Sequence, residues 1–168
     1  KIILINFQYQ VENTYEKMVQ NKEKLKINKR KYDKNAYYQN PKFKIRILIS
    51  NSIFSFLKKK KRVKQQSCWK FLPFSKEQLK QHLESLFEPW MNWNNHGQYK
   101  LKVWDDQDQS TWTWQIDHII PHSSFHYSSM EDEDFKICWS LNNLRPLNSK
   151  QNLLESNRKI IEFPNARL

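Results

Sequence analysis

Positive charge is confined to one end of this chain, and that partition limits how it can fold. Residues 1–66 hold 18 Lys and Arg against 4 Asp and Glu, a balance of +14, whereas residues 67–168 hold 11 against 13, a balance of −2. From Val11 to Gln39 the chain is polar, Lys-rich and free of Pro and Gly. It has little apolar surface to bury by itself, so it reads as a long basic helix or as a segment that turns helical on a partner. A chain of 168 residues suffices for one domain with a core plus an extension. The expected organisation is therefore a basic, largely helical arm over residues 1–66 and a folded domain over residues 67–168.

One-sided charge of this density, interleaved with aromatics, is an electrostatic footprint for phosphates, because each neutralised phosphate releases condensed counterions. The plainer alternative is a solvated basic face. Lys29, Arg30 and Lys31 on the arm, and Lys58, Lys59, Lys60, Lys61 and Arg62 at its end, are the cations best placed to meet a nucleic-acid backbone.

Several classes drop out. The single glycine, Gly97, argues against a glycine-rich phosphate loop or dinucleotide fingerprint. Cys68 and Cys138 each stand alone beside a Trp, as small buried residues do, and form neither a disulfide framework nor a thiolate zinc site. No stretch approaches the roughly 18 apolar residues of a membrane span, and the opening "KIILINF" is too short for a signal peptide. Opening on Lys rather than Met leaves a processed product, shorn of an organellar presequence, as one expectation.

Past the arm, "PKFKIRILISNSIFSFLKKKK" predicts a helix whose buried stripe is Phe43, Ile47, Ile53, Phe54 and Leu57, with Ile45 and Ile49 widening it. Ser75 and Gln78 spell a capping box ahead of Leu79, Leu83, Leu86 and Phe87, a second helical stripe. Gly97 is expected at a positive φ. "YKLKVW" and "TWTWQI" alternate like strands, Phe135–Leu141 reads as a short helix, and "NLRPL" reads as a strand. Asn148 is placed to cap a helix running to Lys159.

Between those elements lie His118, His122 and His126, spaced by four. On one helix they would align as metal ligands, but Pro121 disfavours a continuous helix, so zinc on these three is not expected. An ordinary, partly buried His118 is the bland reading. What sets it apart is Asp117 immediately before it at a strand end and two asparagines downstream.

"WQIDHIIP", "CWSLNNLRPL" and "SKQNLLESNRK", in that order, resemble the three motif blocks of the HNH (ββα-metal, His-Me finger) endonucleases of phages, large viruses and mobile introns. "SKEQLKQHLESLFEPWMNWNNHG" is similar to the block that precedes them in that family, and the Lys/Tyr-rich arm is similar to the family's basic arms. Together the likeness covers roughly residues 35–159. It implies an α+β fold in which a ββα-metal motif, about residues 112–159, packs against helices and carries a basic helical N-terminal extension.

The resemblance also implies roles. Asp117 and Asn152 would hold one Mg²⁺ or Mn²⁺, hard ions suited to oxygen donors. His118 would be the general base, and Asn143 would fix its tautomer. Arg145 could contact a neighbouring phosphate. The cysteine pairs that bind zinc in other members are absent, so Trp112, Trp114, Trp139 and Leu144 must brace the motif, and no zinc is expected. Two functions follow: a metal-dependent endonuclease, homing-type and acting on DNA, or a catalytically unused RNA-binding subunit of a ribonucleoprotein such as a mitochondrial ribosome. The second would bring rRNA and other proteins as partners, and a mitochondrial location.

Overall fold

The structure, a computed structural model, describes the backbone of residues 2–59 and 67–162 and the side chains of residues 15–57 and 67–156. Among these the fold is α+β, with five α-helices and one two-stranded antiparallel sheet. The chain divides into two compact units, Lys1–Asn40 and Pro41–Leu168.

The first unit is one helix, α1 (Ile2–Gln39). At 1.5 Å per residue it is about 57 Å long. Tyr15, Met18, Leu25 and Tyr32 are each more than 60% exposed, as the low apolar content predicts. Lys29, Arg30 and Lys31 are exposed on it.

The second unit begins with α2 (Pro41–Lys59), so packing draws the boundary well before the charge boundary at residue 66. Charge counts solvated side chains, whereas membership of the core depends on the opposite face of the same helix. That face is Ile45, Ile49, Ile53 and Leu57, every fourth residue and all at most 4% exposed. The expected stripe was right for Ile53 and Leu57, and for Ile45 and Ile49 that widen it, but Phe54 is 47% exposed and Phe43 and Ile47 are only half-buried. Each fully buried aliphatic side chain contributes about 1.5–3 kcal/mol. Lys58 and Lys59 close α2 with side chains outside the described set, and Lys60, Lys61 and Arg62 lie outside the described residues.

Next comes α3 (Lys76–Ser85), whose Ser75–Gln78 capping box forms in both directions. Leu79 and Leu83 are fully buried, but Leu86 falls past the last turn and is 47% exposed. β1 (Trp114–His118), α4 (Glu133–Cys138), β2 (Leu144–Asn148) and α5 (Ser149–Glu162) complete the unit. Asn148 caps α5 as expected, its Oδ1 accepting from the Lys150 and Gln151 amides. One apolar core joins the α2 stripe and α3 to Phe125, Phe135, Trp139 and Leu144.

Two local expectations fail. "YKLKVW" is a turn, with the amides of Val103 and Trp104 both donating to the Lys100 carbonyl at 3.0 Å. Its alternation faces no partner strand among the described residues, and Leu101 is 78% exposed. Gly97 does not take a positive φ, and a Cβ there would sit 3.5 Å from Thr113 Cγ2, an ordinary contact.

Candidate functional site

β1 and β2 run antiparallel in a register that sets Asp117 opposite Arg145 and His118 opposite Leu144, and α5 packs on both strands. Successive strand residues point to opposite faces. Gln115 and Asp117 therefore share one face of β1, and Trp114, Ile116 and His118 share the other.

On the first face the side chains form a polar seam with α5. Arg145 donates from Nε to Asp117 Oδ2 at 3.0 Å and from Nη2 to Glu155 Oε2 at 3.0 Å, which ties the strand carboxylate to the helix. Asn152, one turn before Glu155, donates from Nδ2 to Gln115 Oε1 at 3.1 Å. Asp117 and Asn152, the two expected ligands, thus both lie in the seam, each held by a different partner. A cleft of about 270 Å³ opens at its Gln115–Asn152 end, lined also by Gln98, Tyr99 and Ser156, and neither Asp117 nor Arg145 lines it. Arg145, expected at a phosphate, spans two carboxylates here. Glu155 was not singled out in the sequence, although its spacing of three from Asn152 is the signal for a shared helix face.

On the opposite face, His118 packs edge-on against Trp139, with ring centroids 4.7 Å apart, and lies beside His122 at 5.2 Å. Burial lowers its pKa to about 4, with Asp117 pulling weakly the other way, so the ring is neutral at pH 7. Its Nε2 is buried and has no hydrogen-bond partner. Cys138 Sγ and a ring nitrogen of His122 complete a group whose ligand atoms all lie within 4.8 Å of one another. His126 is not part of it; its backbone amide donates to Asp134 Oδ2 at 2.8 Å. No continuous helix runs through Pro121, as expected: β1 ends at His118 and Pro121 opens a short 3₁₀ turn, His122–Ser124. What the sequence hid is that the turn returns His122 to His118 and that Cys138, at the end of α4, joins them.

Asn143 works differently from the implied role. Its Oδ1 accepts from the Ile120 amide at 2.7 Å, and its Nδ2 donates to the carbonyls of Cys138 at 2.8 Å and Ile120 at 3.3 Å. It therefore fixes the backbone just after His118 and does not touch the imidazole. Being only 5% exposed, it satisfies buried groups that would otherwise cost about 1–3 kcal/mol each.

A second buried imidazole, His96, stands edge-on to Trp114 at 4.8 Å. Burial first, and the Lys44 charge second, lower its pKa to about 4. A folded-state pKa below the unfolded value near 6.5 means that this contribution to stability is complete above pH 6.5 and is lost as pH falls toward 4. We expect His96 to account for on the order of 2–3 kcal/mol of the loss between pH 7 and pH 4. Urea midpoints of wild type and His96→Gln across that range check this; identical losses in both would remove His96 as a cause.

No family model matches the chain, and no solved structure matches it. Over 126 residues, 75% of its length, it is 26% identical to an uncharacterized protein, L426, of Acanthamoeba polyphaga mimivirus. The chain spans about half, 48%, of that relative.

Proposed function

We propose that this chain is a metal-dependent phosphodiester hydrolase of the HNH (ββα-metal) type, acting on nucleic acid, DNA foremost, with basic α1 gripping the backbone. The observation that carries this reading is the seam: Asp117 of β1 and Asn152 of α5 both take part in it, and His118, the next residue along the strand, turns to the opposite face. The donors fit a hard cation. Arg145 engages only Oδ2 of Asp117, and the Asn152 amide spends its nitrogen on Gln115, which leaves oxygen for another partner. A bound Mg²⁺ or Mn²⁺ would supply positive charge to offset the negative charge developing on the leaving 3′ oxygen.

The rest falls to the chain itself. His118, neutral and with an uncommitted Nε2, takes the proton of the attacking water once that enclosed nitrogen is opened to it. Asn143 positions the backbone behind it. Arg145, once released from Asp117, is a cation beside the reacting phosphate. The exposed Lys29, Arg30 and Lys31 neutralise phosphates along the strand, a contribution that weakens with salt.

A binding-only reading, the RNA-binding ribonucleoprotein subunit, has two observations in its favour: Arg145 holds Asp117 and the His118 Nε2 is enclosed. Plasmid DNA and structured RNA, incubated with the full chain in Mg²⁺ or Mn²⁺ and in EDTA, separate the two. Hydrolysis that requires the cation is expected. Tight binding without hydrolysis of either substrate would leave the binding-only reading, and absence of both would sink the two together. Removing residues 1–40 is expected to weaken binding and flatten its salt dependence; an unchanged slope would take α1 out of the interface.

A further inference from the structure

We infer that His118, His122 and Cys138 form a second cation site, for a borderline-soft divalent ion of the Zn²⁺ class, and that filling it silences His118 as a base. The site lies on the face of β1 opposite the Asp117–Asn152 seam and draws on three separate places in the fold: the end of β1, the turn after Pro121 and the last residue of α4.

The first ground is convergence. One ligand atom from each residue falls within 4.8 Å of the other two. Zn²⁺ bonds of about 2.0–2.3 Å set tetrahedral ligands roughly 3.3–3.8 Å apart, so closing the site takes about 1 Å of side-chain movement. The second ground is the orphan. His118 Nε2 is buried without a partner, one of three such side-chain atoms among the described residues and the only one of them in a group of converging ligand residues. An uncommitted ring nitrogen on a residue that converges with a second imidazole and a thiol is suited to a metal. The third is support from behind. His122 Nε2 hydrogen-bonds the Tyr127 hydroxyl, which also accepts from Trp139 Nε1 at 3.4 Å, so the ring is oriented by an outer partner as ligating histidines usually are. Two imidazoles and a thiolate select Zn²⁺ over Mg²⁺, whereas the oxygen donors across the strand select the reverse. Binding exchanges the Cys138 thiol proton, released to solvent, for the cation.

The binding half of this inference stands by itself, and the silencing half rests on the hydrolytic reading. Co²⁺ titration of the metal-free full chain tests the first. A thiolate-to-cobalt charge-transfer band is expected, displaced by Zn²⁺, absent in Cys138→Ser and retained in Cys68→Ser. Tyr127→Phe, which keeps the ring and removes only the hydroxyl, is expected to weaken the affinity about 10–100-fold. No band in wild type, or a band that survives Cys138→Ser, overturns the site; should Cys138→Ser fail to fold, an unchanged affinity in Tyr127→Phe overturns it instead. For the second half, Zn²⁺ added to the Mg²⁺ reaction is expected to inhibit wild type strongly and Cys138→Ser hardly at all. Cleavage with no cobalt band would discard the site and keep the hydrolase. A cobalt band with no cleavage under any condition would keep the site and discard both the hydrolase and the silencing.

Discussion

His118→Ala is expected to lower nucleic-acid hydrolysis by about 10²–10⁴-fold while leaving affinity for the same substrate within about twofold. The ring supplies a proton acceptor and no phosphate contact, so its loss should appear in the chemical step. Its neutrality follows from burial, which places its pKa at about 4, and its Nε2 has no donor to compete with water. Alanine also empties space beside Trp139, so thermal unfolding of the variant must be compared in parallel. Asp117→Asn gives the complementary result, a protein whose cleavage calls for more cation, because the amide is a weaker ligand and Arg145 keeps only Glu155. A His118→Ala protein that is folded and as active as wild type would remove the base from the proposal. Equal loss of binding and cleavage would instead mark His118 as part of the binding surface.

The parts of the fold legible in the sequence were those specified locally. The Ser75 capping box, the Asn148 cap and the strands around Asp117 and Arg145 depend on residues within a few positions of one another, and they formed close to where the sequence placed them, β1 starting at Trp114 rather than Thr111. The α2 stripe was less legible because its apolar residues occupy more than one face, and only the partner surface from α3 and the core decides which is buried. "YKLKVW" misled for a related reason: alternation states what a strand could bury, not that a neighbouring strand exists. At the candidate site, Asp117 and Asn152 were singled out as residues, but the bonds of Asp117 through Arg145 to Glu155 and of Asn152 to Gln115 needed the packing of α5 on the sheet. The His118–His122–Cys138 group was not legible at all, since Cys138 reaches it across an irregular turn held by Asp132 and Asp134 contacts to the backbone of Ser128, Ser129 and His126.

The largest stability effect is expected at Trp114, because it is where the strand bearing Asp117 and His118 is anchored. The indole is fully buried, meets Phe87, Trp93 and His96 edge-on at centroid distances of 4.7–5.3 Å, and donates from Nε1 to the Asn92 carbonyl at 2.7 Å. Trp114→Ala removes all of this and is expected to cost about 3–5 kcal/mol, a large share of the roughly 5–15 kcal/mol that holds such a domain together. Trp114→Phe keeps much of the ring contact but strands the Asn92 carbonyl, for about 1–3 kcal/mol. Trp112, two residues earlier, is the control: half-buried, stacked on Trp104 at 5.7 Å and bonded to the Asp105 carbonyl, it belongs to a surface cluster, and Trp112→Ala should cost about 1 kcal/mol. Urea unfolding of the three variants orders them. Equal midpoints for the two alanine variants would mean that β1 is not anchored at Trp114, and the rigidity of the seam would then have to come from α5 and its Arg145 bridge.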